Sequence, residues 1–286
     1  TVNSNDAKNA KLALEREFKI EFETQDVNRV EVLSDLVIVS IIGQTLDNFC
    51  LSYNARRKNG ISPVLFNNTA TGDNISLVLK QKDLHKAINV IHGRIFGVST
   101  KINLAFFGKG LVGGTLIDQI LESLKDVEKR KVIRLNIFAI ADSKKVLLTK
   151  NGIDKNWRTA LATEGKEAYT INDVIQFAKK NHLENLIAVD NTASDAFVQN
   201  YIPLVENGFN LVSSNKTANT KSYDFYANLR NNLSKNEKTY LYETNVGAGL
   251  PLVDTIKLLH HSGENITKIK GVFSGTLSYI FNHFSE

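Results

Sequence analysis

Gly108-Lys109-Gly110-Leu111-Val112-Gly113 stands directly after an apolar run, Ile102 to Phe107, and opens a helical pattern. A G-x-G-x-x-G in that setting suits the pyrophosphate of a dinucleotide. Its glycines permit a tight turn, close approach of backbone to phosphate and packing of helix on strand, and the free N–H groups of the helix start attract the anion. The motif alone is weak; its strand-turn-helix context carries the reading, and Lys109 has the plain alternative of a solvated loop charge. An acid closing the next strand would hold the ribose of NAD, and Asp142 follows Ala141 there. It lies 29 positions beyond Gly113 (113 to 142), against a usual ~20. Ser143-Lys144-Lys145 offers hydroxyl and ammonium groups that suit a 2′-phosphate, so these residues leave NAD and NADP open. A solvated turn explains both lysines equally well.

Three further polar loops follow apolar runs. Val189-Asp190-Asn191-Thr192-Ala193-Ser194 ends one, with Ser194 or Asp195 able to cap the next helix. Ser213-Ser214-Asn215-Lys216-Thr217 ends another. In an open parallel sheet ligands collect at the carboxyl ends of the strands, so the glycine loop, Asp142, Thr192 and Lys216 are expected to face one crevice. Glu243-Thr244-Asn245-Val246-Gly247-Ala248-Gly249-Leu250-Pro251 combines a carboxylate with a glycine-loosened backbone that can turn carbonyls toward a hard cation. A structural turn is the simpler reading of those residues taken alone. Gly271 to Ile280 reads as a strand that breaks into a helix at Ser274-Gly275-Thr276, offering free N–H groups to a carboxylate or else an ordinary cap. The six histidines show no metal-ligand spacing, and no transition metal is expected.

The elements that position these loops fall into two rhythms. Asp6 to Phe18 reads as an amphipathic helix leading into a strand-like Ile20-Glu21-Phe22. Then come a strand (Leu36 to Ile42), a helix (Leu46 to Lys58), a strand (Ile61 to Phe66), a turn at Thr71-Gly72-Asp73, a strand (Ile75 to Leu79) and a helix (Asp83 to Phe96). One helix alternating with paired strands suggests a ferredoxin-like split β-α-β layer over residues 1–98. From Ile102 the rhythm becomes β-α-β, with strands Ile102 to Phe107, Leu135 to Ala141, Leu186 to Val189, Phe209 to Val212 and Thr239 to Tyr242. Helices are expected at Leu111 to Leu124, Ile171 to Asn181, Ser194 to Glu206 and Ser222 to Ser234. This is an α/β pattern, a doubly wound parallel sheet covered on both faces. Residues 99–245 form that nucleotide-binding domain, and 246–286 follow it.

Composition narrows the classes. With 286 residues, 42% hydrophobic, 23% charged and only 3 prolines, the chain holds about two folded domains rather than extended disorder. The longest apolar stretch, Leu36 to Ile42, falls far short of the ~20 residues that span a bilayer, and the polar start is no signal peptide. One cysteine, Cys50, excludes an internal disulfide, reads as a half-buried helix residue, and agrees with a reducing cytoplasm. The excess of 35 Lys and Arg over 30 Asp and Glu is scattered, so surface solvation accounts for it better than nucleic acid does. Methionine is absent, which points to a fragment or to modified methionines missing from the record.

In order along the chain, G-K-G-L-V-G, Val189-Asp190-Asn191-Thr192, Asn215-Lys216-Thr217-Ala218-Asn219, Tyr242 to Pro251 and Gly271 to Phe281 together resemble homoserine dehydrogenase. The preceding module, with Asp35 to Ser40 and Asn74 to Leu79, more loosely resembles the ACT-type regulatory region that joins aspartokinase to homoserine dehydrogenase in bifunctional enzymes.

That resemblance implies reversible hydride transfer between NADP or NAD and the L-homoserine/L-aspartate 4-semialdehyde pair, in the biosynthesis of threonine and methionine. It implies that Gly108, Lys109, Gly110, Leu111, Val112 and Gly113 hold the cofactor with Asp142 and Ser143, and that Thr192 lies near its nicotinamide. Lys216 would sit by cofactor and substrate and assist electrostatically. Glu243 with the carbonyls of Val246, Ala248 and Leu250 would hold a monovalent cation, sodium; residues 246–286 would begin an α+β catalytic and dimerisation domain, with Gly275 and Thr276 at the start of the substrate site. It further implies a homo-oligomer and a threonine effector at the ACT module, with no nucleic-acid or membrane partner. The family's acidic segment for the homoserine amino group and its catalytic lysine would follow Glu286, so the chain as printed is expected to bind cofactor without its proton donor. Nothing here resembles the aspartokinase signature. Two rival readings are an ACT-type sensing module with a non-catalytic nucleotide domain, and a dehydrogenase acting through a cysteine thioester. The second needs a nucleophilic cysteine at the crevice, whereas Cys50 lies in the other module.

Overall fold

A computed structural model of the protein describes residues 2–42, 60–68, 74–95, 100–131, 133–271 and 274–285. Residues 2–42 and 61–88 belong to one compact unit and residues from Asn89 onward to a second, the division falling within one helix. The expected helix Leu46 to Lys58, with Cys50, and the turn Thr71-Gly72-Asp73 lie outside the described residues.

The first unit contains α1 (Ala7–Glu17), α2 (Lys19–Glu23), β1 (Leu36–Ile42), β2 (Leu65–Asn68) and β3 (Asn74–Lys80), and α3 (Leu84–Ile95) crosses the division. Its sheet has the order β1-β3-β2, with β3 antiparallel to both neighbours. β1 and β2 therefore run parallel to each other on either side of β3, the strand arrangement of a split β-α-β unit. Ile75, Leu77 and Leu79 of β3 are buried.

Two expectations fail in this unit. Ile20-Glu21-Phe22 is helical, because the amides of Phe22 and Thr24 continue the i→i−4 ladder to the carbonyls of Phe18 and Ile20 at 3.1 and 2.9 Å. A strand there would need a neighbour to satisfy those groups. The strand expected from Ile61 begins only at Leu65 and runs to Asn68, its register set by pairing of Leu65 with Val78 and of Asn68 with Ile75.

The second unit contains β4 (Thr100–Phe107), α4 (Leu111–Lys131), β5 (Ile133–Ala141), β6 (Lys145–Leu148), α5 (Trp157–Glu164), β7 (Lys166–Glu167), α6 (Ile171–Lys180) and β8 (Leu186–Asp190). It continues with α7 (Asp195–Val198), α8 (Tyr201–Glu206), β9 (Asn210–Ser213), α9 (Tyr223–Lys235), β10 (Tyr240–Leu241), α10 (Leu252–His261) and α11 (Gly275–Ser285). The seven strands are ordered β10-β9-β8-β4-β5-β6-β7, parallel from β10 to β5 and antiparallel at β6 and β7.

Because successive strand side chains point to opposite faces, β4 feeds two cores at once. Leu104 and Phe106 pack with Ile117 and Leu121 of α4 and Trp157 and Leu161 of α5. Ala105 and Phe107 pack on the other face with Val174 of α6, Tyr201 and Leu204 of α8, and Leu229 of α9. A sheet covered on both sides follows from these unbroken apolar runs, as expected.

The sequence reading missed β6, β7 and α5. Lys145 opens β6 with its ammonium donating to the Ala162 carbonyl at 2.9 Å and paired with Glu167 at 3.1 Å, so it is not a solvated turn residue. The single helix expected from Ser194 to Glu206 is two. Pro203 has no N–H to offer Gln199 and is tolerated in the first turn of α8, where no such bond is required. The last parallel strand spans only Tyr240–Leu241 rather than Thr239 to Tyr242. The strand expected from Gly271 is absent at Gly271 itself, Ser274 is likewise irregular, and Val272 and Phe273 lie outside the described residues.

Candidate dinucleotide site

The chain leaves β4 toward β5 on one side and toward β8 on the other, so strand order reverses at β4. At such a switch point the loops beyond neighbouring strands part and leave a crevice. The glycine loop sits there. Gly108 has φ +91°, and a Cβ on it would meet the Asn191 carbonyl carbon and oxygen at 2.8 Å and the Thr192 nitrogen at 2.9 Å. A Cβ on Gly113 would lie 1.9 Å from the Gly108 carbonyl oxygen. Gly110, by contrast, has nothing within 4 Å of that position. The three glycines thus divide the work: one makes the turn, one leaves open room over the backbone, and one lets α4 close on the loop. Leu111 and Val112 are 88% and 60% exposed at the helix start.

Asp142 ends β5 beside this loop. Its Oδ2 lies 2.8 Å from Lys109 Nζ, and its Oδ1 accepts from the amides of Lys144 and Lys145 at 2.7 and 2.8 Å. Burial opposes ionisation, but the Lys109 ammonium and the two amides outweigh it and hold the carboxyl down at about 2. The late arrival of this acid has a simple cause: α4 runs 21 residues, longer than the expected Leu111 to Leu124. Ser143 and Lys144 are exposed in the turn that follows.

A depressed carboxyl stabilises the fold above its ordinary value of 3.8, and that contribution is lost as pH falls through about 2. Followed by NMR, the Asp142 carboxyl is expected to titrate near 2 and to move back up in Lys109→Ala. An unmoved titration in that variant would mean that the ion pair does not set the value.

On the other side of β4, Asp190 ends β8 only 2% exposed. Its Oδ1 accepts from the Thr192 amide at 2.7 Å, and its Oδ2 from the Tyr201 hydroxyl at 2.7 Å and the Asn215 side-chain amide at 3.1 Å. Burial pushes this carboxyl above the ordinary range despite those donors. Asn215 also donates to the Thr192 hydroxyl at 3.3 Å and the Ser194 carbonyl at 3.1 Å, so the loops after β8 and β9 are tied together. Lys216 follows, exposed, with no carboxylate in ion-pair range among the described residues. Asn245 reaches the Asn215 carbonyl at 3.3 Å. A chain of contacts thus runs from Asp142 through Lys109, Gly108, Thr192 and Asn215 to Asn245.

Ser194 caps α7 as expected, its hydroxyl accepting from the Phe197 amide at 3.1 Å. Glu243 lies next to this chain but grips the start of α10, its two carboxylate oxygens accepting from the amides of Val253 and Asp254 at 2.9 and 2.8 Å. Val246, Ala248 and Leu250 follow in a turn with Gly247 and Ala248 at φ 76° and 51°, and the Leu250 carbonyl accepts from the Leu252 amide at 2.9 Å. Gly275 and Thr276 open α11, where the Ser274 hydroxyl accepts from the Leu277 amide at 3.1 Å. No hydrogen bond among the described residues joins those two to the crevice.

Sequence reasoning missed Tyr201 and Ser213, which bond each other at 2.7 Å and complete the support under the crevice. The only signal was an aromatic residue on the inner face of a helix beside a strand-end acid. It also missed Arg230, whose guanidinium lies 4.8, 5.4 and 5.0 Å from the ring centres of Tyr226, Tyr240 and Tyr242 and so braces the approach to Glu243.

A parallel sheet with this glycine-lined seat at its switch point defines a Rossmann-like NAD-binding protein. Residues 108–243 match the family described as homoserine dehydrogenase, NAD binding domain, and residues 251–286 the family described as homoserine dehydrogenase. The chain belongs to the homoserine dehydrogenase family. The bifunctional aspartokinase/homoserine dehydrogenase of Buchnera aphidicola is 34% identical over 281 residues, covering 95% of this chain and 34% of that protein. The chloroplastic bifunctional aspartokinase/homoserine dehydrogenase 2 of Arabidopsis thaliana is 33% identical over 278 residues, covering 95% of this chain and 30% of that protein. The chain spans about a third of the length of these curated relatives. A solved protein of unknown function from Candida auris shares the fold, with a TM-score of 0.54 at 24% identity over 65% of this chain and 50% of that one.

Proposed function

We propose that this chain is the dinucleotide-binding part of an NAD(P)-dependent homoserine dehydrogenase, joined to aspartokinase in a bifunctional enzyme, that interconverts L-homoserine and L-aspartate 4-semialdehyde. The observation that carries the reading is the open seat over Gly110, framed by Gly108 and Gly113, in a chain whose family match starts at that loop. The amides at the start of α4 hold the paired phosphates, and Asp142 and Ser143 meet the adenosine ribose. Thr192 borders the nicotinamide end. The dinucleotide, when bound, supplies or accepts the hydride. Lys216 presents an exposed ammonium on the loop tied to Thr192 and offsets negative charge on the substrate oxygen. Gly275 and Thr276 begin the substrate site.

The loop from Glu243 to Leu250 is proposed to hold sodium. Its donors are all oxygens, as a hard cation requires, and Asn245 Oδ1 beside them is buried without a hydrogen-bond partner among the described residues. Binding asks Glu243 to share oxygens that already accept from α10.

In the first unit, the split strand order supports an ACT-like regulatory module over residues 1–98 with threonine as effector. Residues 99–245 and 246–286 are the dinucleotide and catalytic segments of the same proposal, in a homo-oligomeric cytoplasmic enzyme that engages neither nucleic acid nor membrane. Among the described residues no helix is long and apolar enough to cross a membrane. The plant relatives, in contrast, are described as chloroplastic.

The intact enzyme is expected to reduce NADP or NAD in the presence of homoserine, with sodium raising and threonine lowering the rate. Absence of homoserine-dependent reduction with either dinucleotide would sink the proposal.

A further inference from the structure

The ion pair between Lys109 and Asp142 spans the place where a Rossmann-type fold meets the adenosine ribose. Neither Asp142 oxygen is open as it stands: Oδ2 faces the Lys109 ammonium at 2.8 Å, and Oδ1 takes two amides of its own turn. The partners are unequal in freedom. The lysine side chain is 45% exposed and the carboxylate 21%, and the carboxylate is fastened by those amides. The ammonium is therefore the group able to move. Close by, Ser143 and Lys144 are exposed, and Lys144 has no carboxylate in ion-pair range among the described residues. Lys145 is committed to Glu167 and the Ala162 carbonyl.

We propose that the Lys109–Asp142 pair selects the dinucleotide: the ammonium moves onto a 2′-phosphate, and when that phosphate is absent it stays on the carboxylate and denies it to the ribose diol. The selector rests on the dinucleotide reading above. A ribose hydroxyl that claims Asp142 must part the carboxylate from the Lys109 ammonium, replacing an ion pair by a bond with only one charged partner. A 2′-phosphate, carrying about −1.5 to −2 charges, instead exchanges one charge-assisted bond for another and adds Lys144 and the Ser143 hydroxyl. The pair thus favours NADPH over NADH. Asp142 supplies the opposing half of the device, because with Lys109 removed its bare charge repels the phosphate and is free to accept from the diol.

The test is titration of nicotinamide fluorescence with NADPH and with NADH, without substrate, in the intact protein and in Lys109→Ala and Asp142→Asn. Asparagine keeps an oxygen for the amides of Lys144 and Lys145. The wild-type protein is expected to bind NADPH more tightly. Loss of one charge-assisted bond in Lys109→Ala weakens NADPH roughly 10- to 100-fold while NADH holds or tightens. Asp142→Asn shifts the ratio further toward NADPH. Wild-type preference for NADH, equal weakening of both dinucleotides in Lys109→Ala, or ratios unmoved in both variants would overturn the selector and leave the dehydrogenase reading standing. Failure of the wild-type protein to bind either dinucleotide would overturn both.

Discussion

Gly113→Ala is expected to abolish dinucleotide binding. Its Cβ would lie 1.9 Å from the Gly108 carbonyl oxygen, 3.0 Å from the Gly108 carbonyl carbon and 3.1 Å from Asn191 Cβ. The nearest of these is backbone, so the loop must lift off the start of α4. Overpacking of this kind costs about 1–3 kcal/mol of stability. The effect on the ligand is larger, because amides displaced by about 1 Å forfeit on the order of 10²-fold in function. Gly110→Ala separates the two effects. Nothing lies within 4 Å of its Cβ and its φ is not positive, so the melting temperature should hold while the added methyl occupies the space over the loop. Calorimetry and NADPH titration on both variants check this. If Gly110→Ala and Gly113→Ala both bind as the parent does, the loop is not the phosphate seat.

Asp190→Ala is expected to unsettle both loops on the nicotinamide side. It leaves the Thr192 amide, the Asn215 side-chain amide and the Tyr201 hydroxyl without their common acceptor. A buried donor left unsatisfied costs about 1–3 kcal/mol. Tyr201 retains Ser213 at 2.7 Å and the Asn215 amide retains the Thr192 hydroxyl and the Ser194 carbonyl, so the Thr192 amide carries most of the loss. A total of about 1–3 kcal/mol lowers the melting temperature by roughly 2–12 °C at 2–4 °C per kcal/mol. Tyr201→Phe removes a single donor and is expected to cost about 1 kcal/mol. Hydrogen exchange should quicken at Thr192 and Thr217 in the first variant and much less in the second. Equal, small effects in both would show that Asp190 does not organise the loops.

These two sites differ in how far the sequence disclosed them. The glycine loop was legible because its constraint is local. Gly108, Gly110 and Gly113 answer to backbone conformation and to their neighbours in one strand-turn-helix unit, and the spacing itself records that geometry. The core strands were legible for a similar reason, since β4, β5 and β8 are apolar on both faces and leave no choice of side. Asp190 was visible only as a polar residue at a strand end. Its partners stand 11 and 25 positions away, and no local pattern marks Tyr201 or Asn215 as belonging to it.

Errors at the edges have the same origin. β6 and β7 are too short to show a period, and β6 is held because Val146 and Leu147 pack into the two cores on opposite faces of the sheet. Ile20-Glu21-Phe22 looks extended by composition, yet no strand pairs with it among the described residues, and its backbone bonds are satisfied in a helix. Glu243 has a partner that no local pattern announced: the fold brings the first amides of α10 to both of its carboxylate oxygens.

By itself the sequence determined that an α/β sheet would carry a glycine turn after its first strand, and that a family of dehydrogenases shares its motifs. The tertiary structure decided which charges meet: that Lys109 closes on Asp142, that Tyr201 and Asn215 share Asp190, and that Glu243 grips a helix. The physical reason is range. Turn conformation and strand burial are fixed by adjacent residues, whereas a hydrogen bond or ion pair between distant loops exists only after the sheet has set their separation.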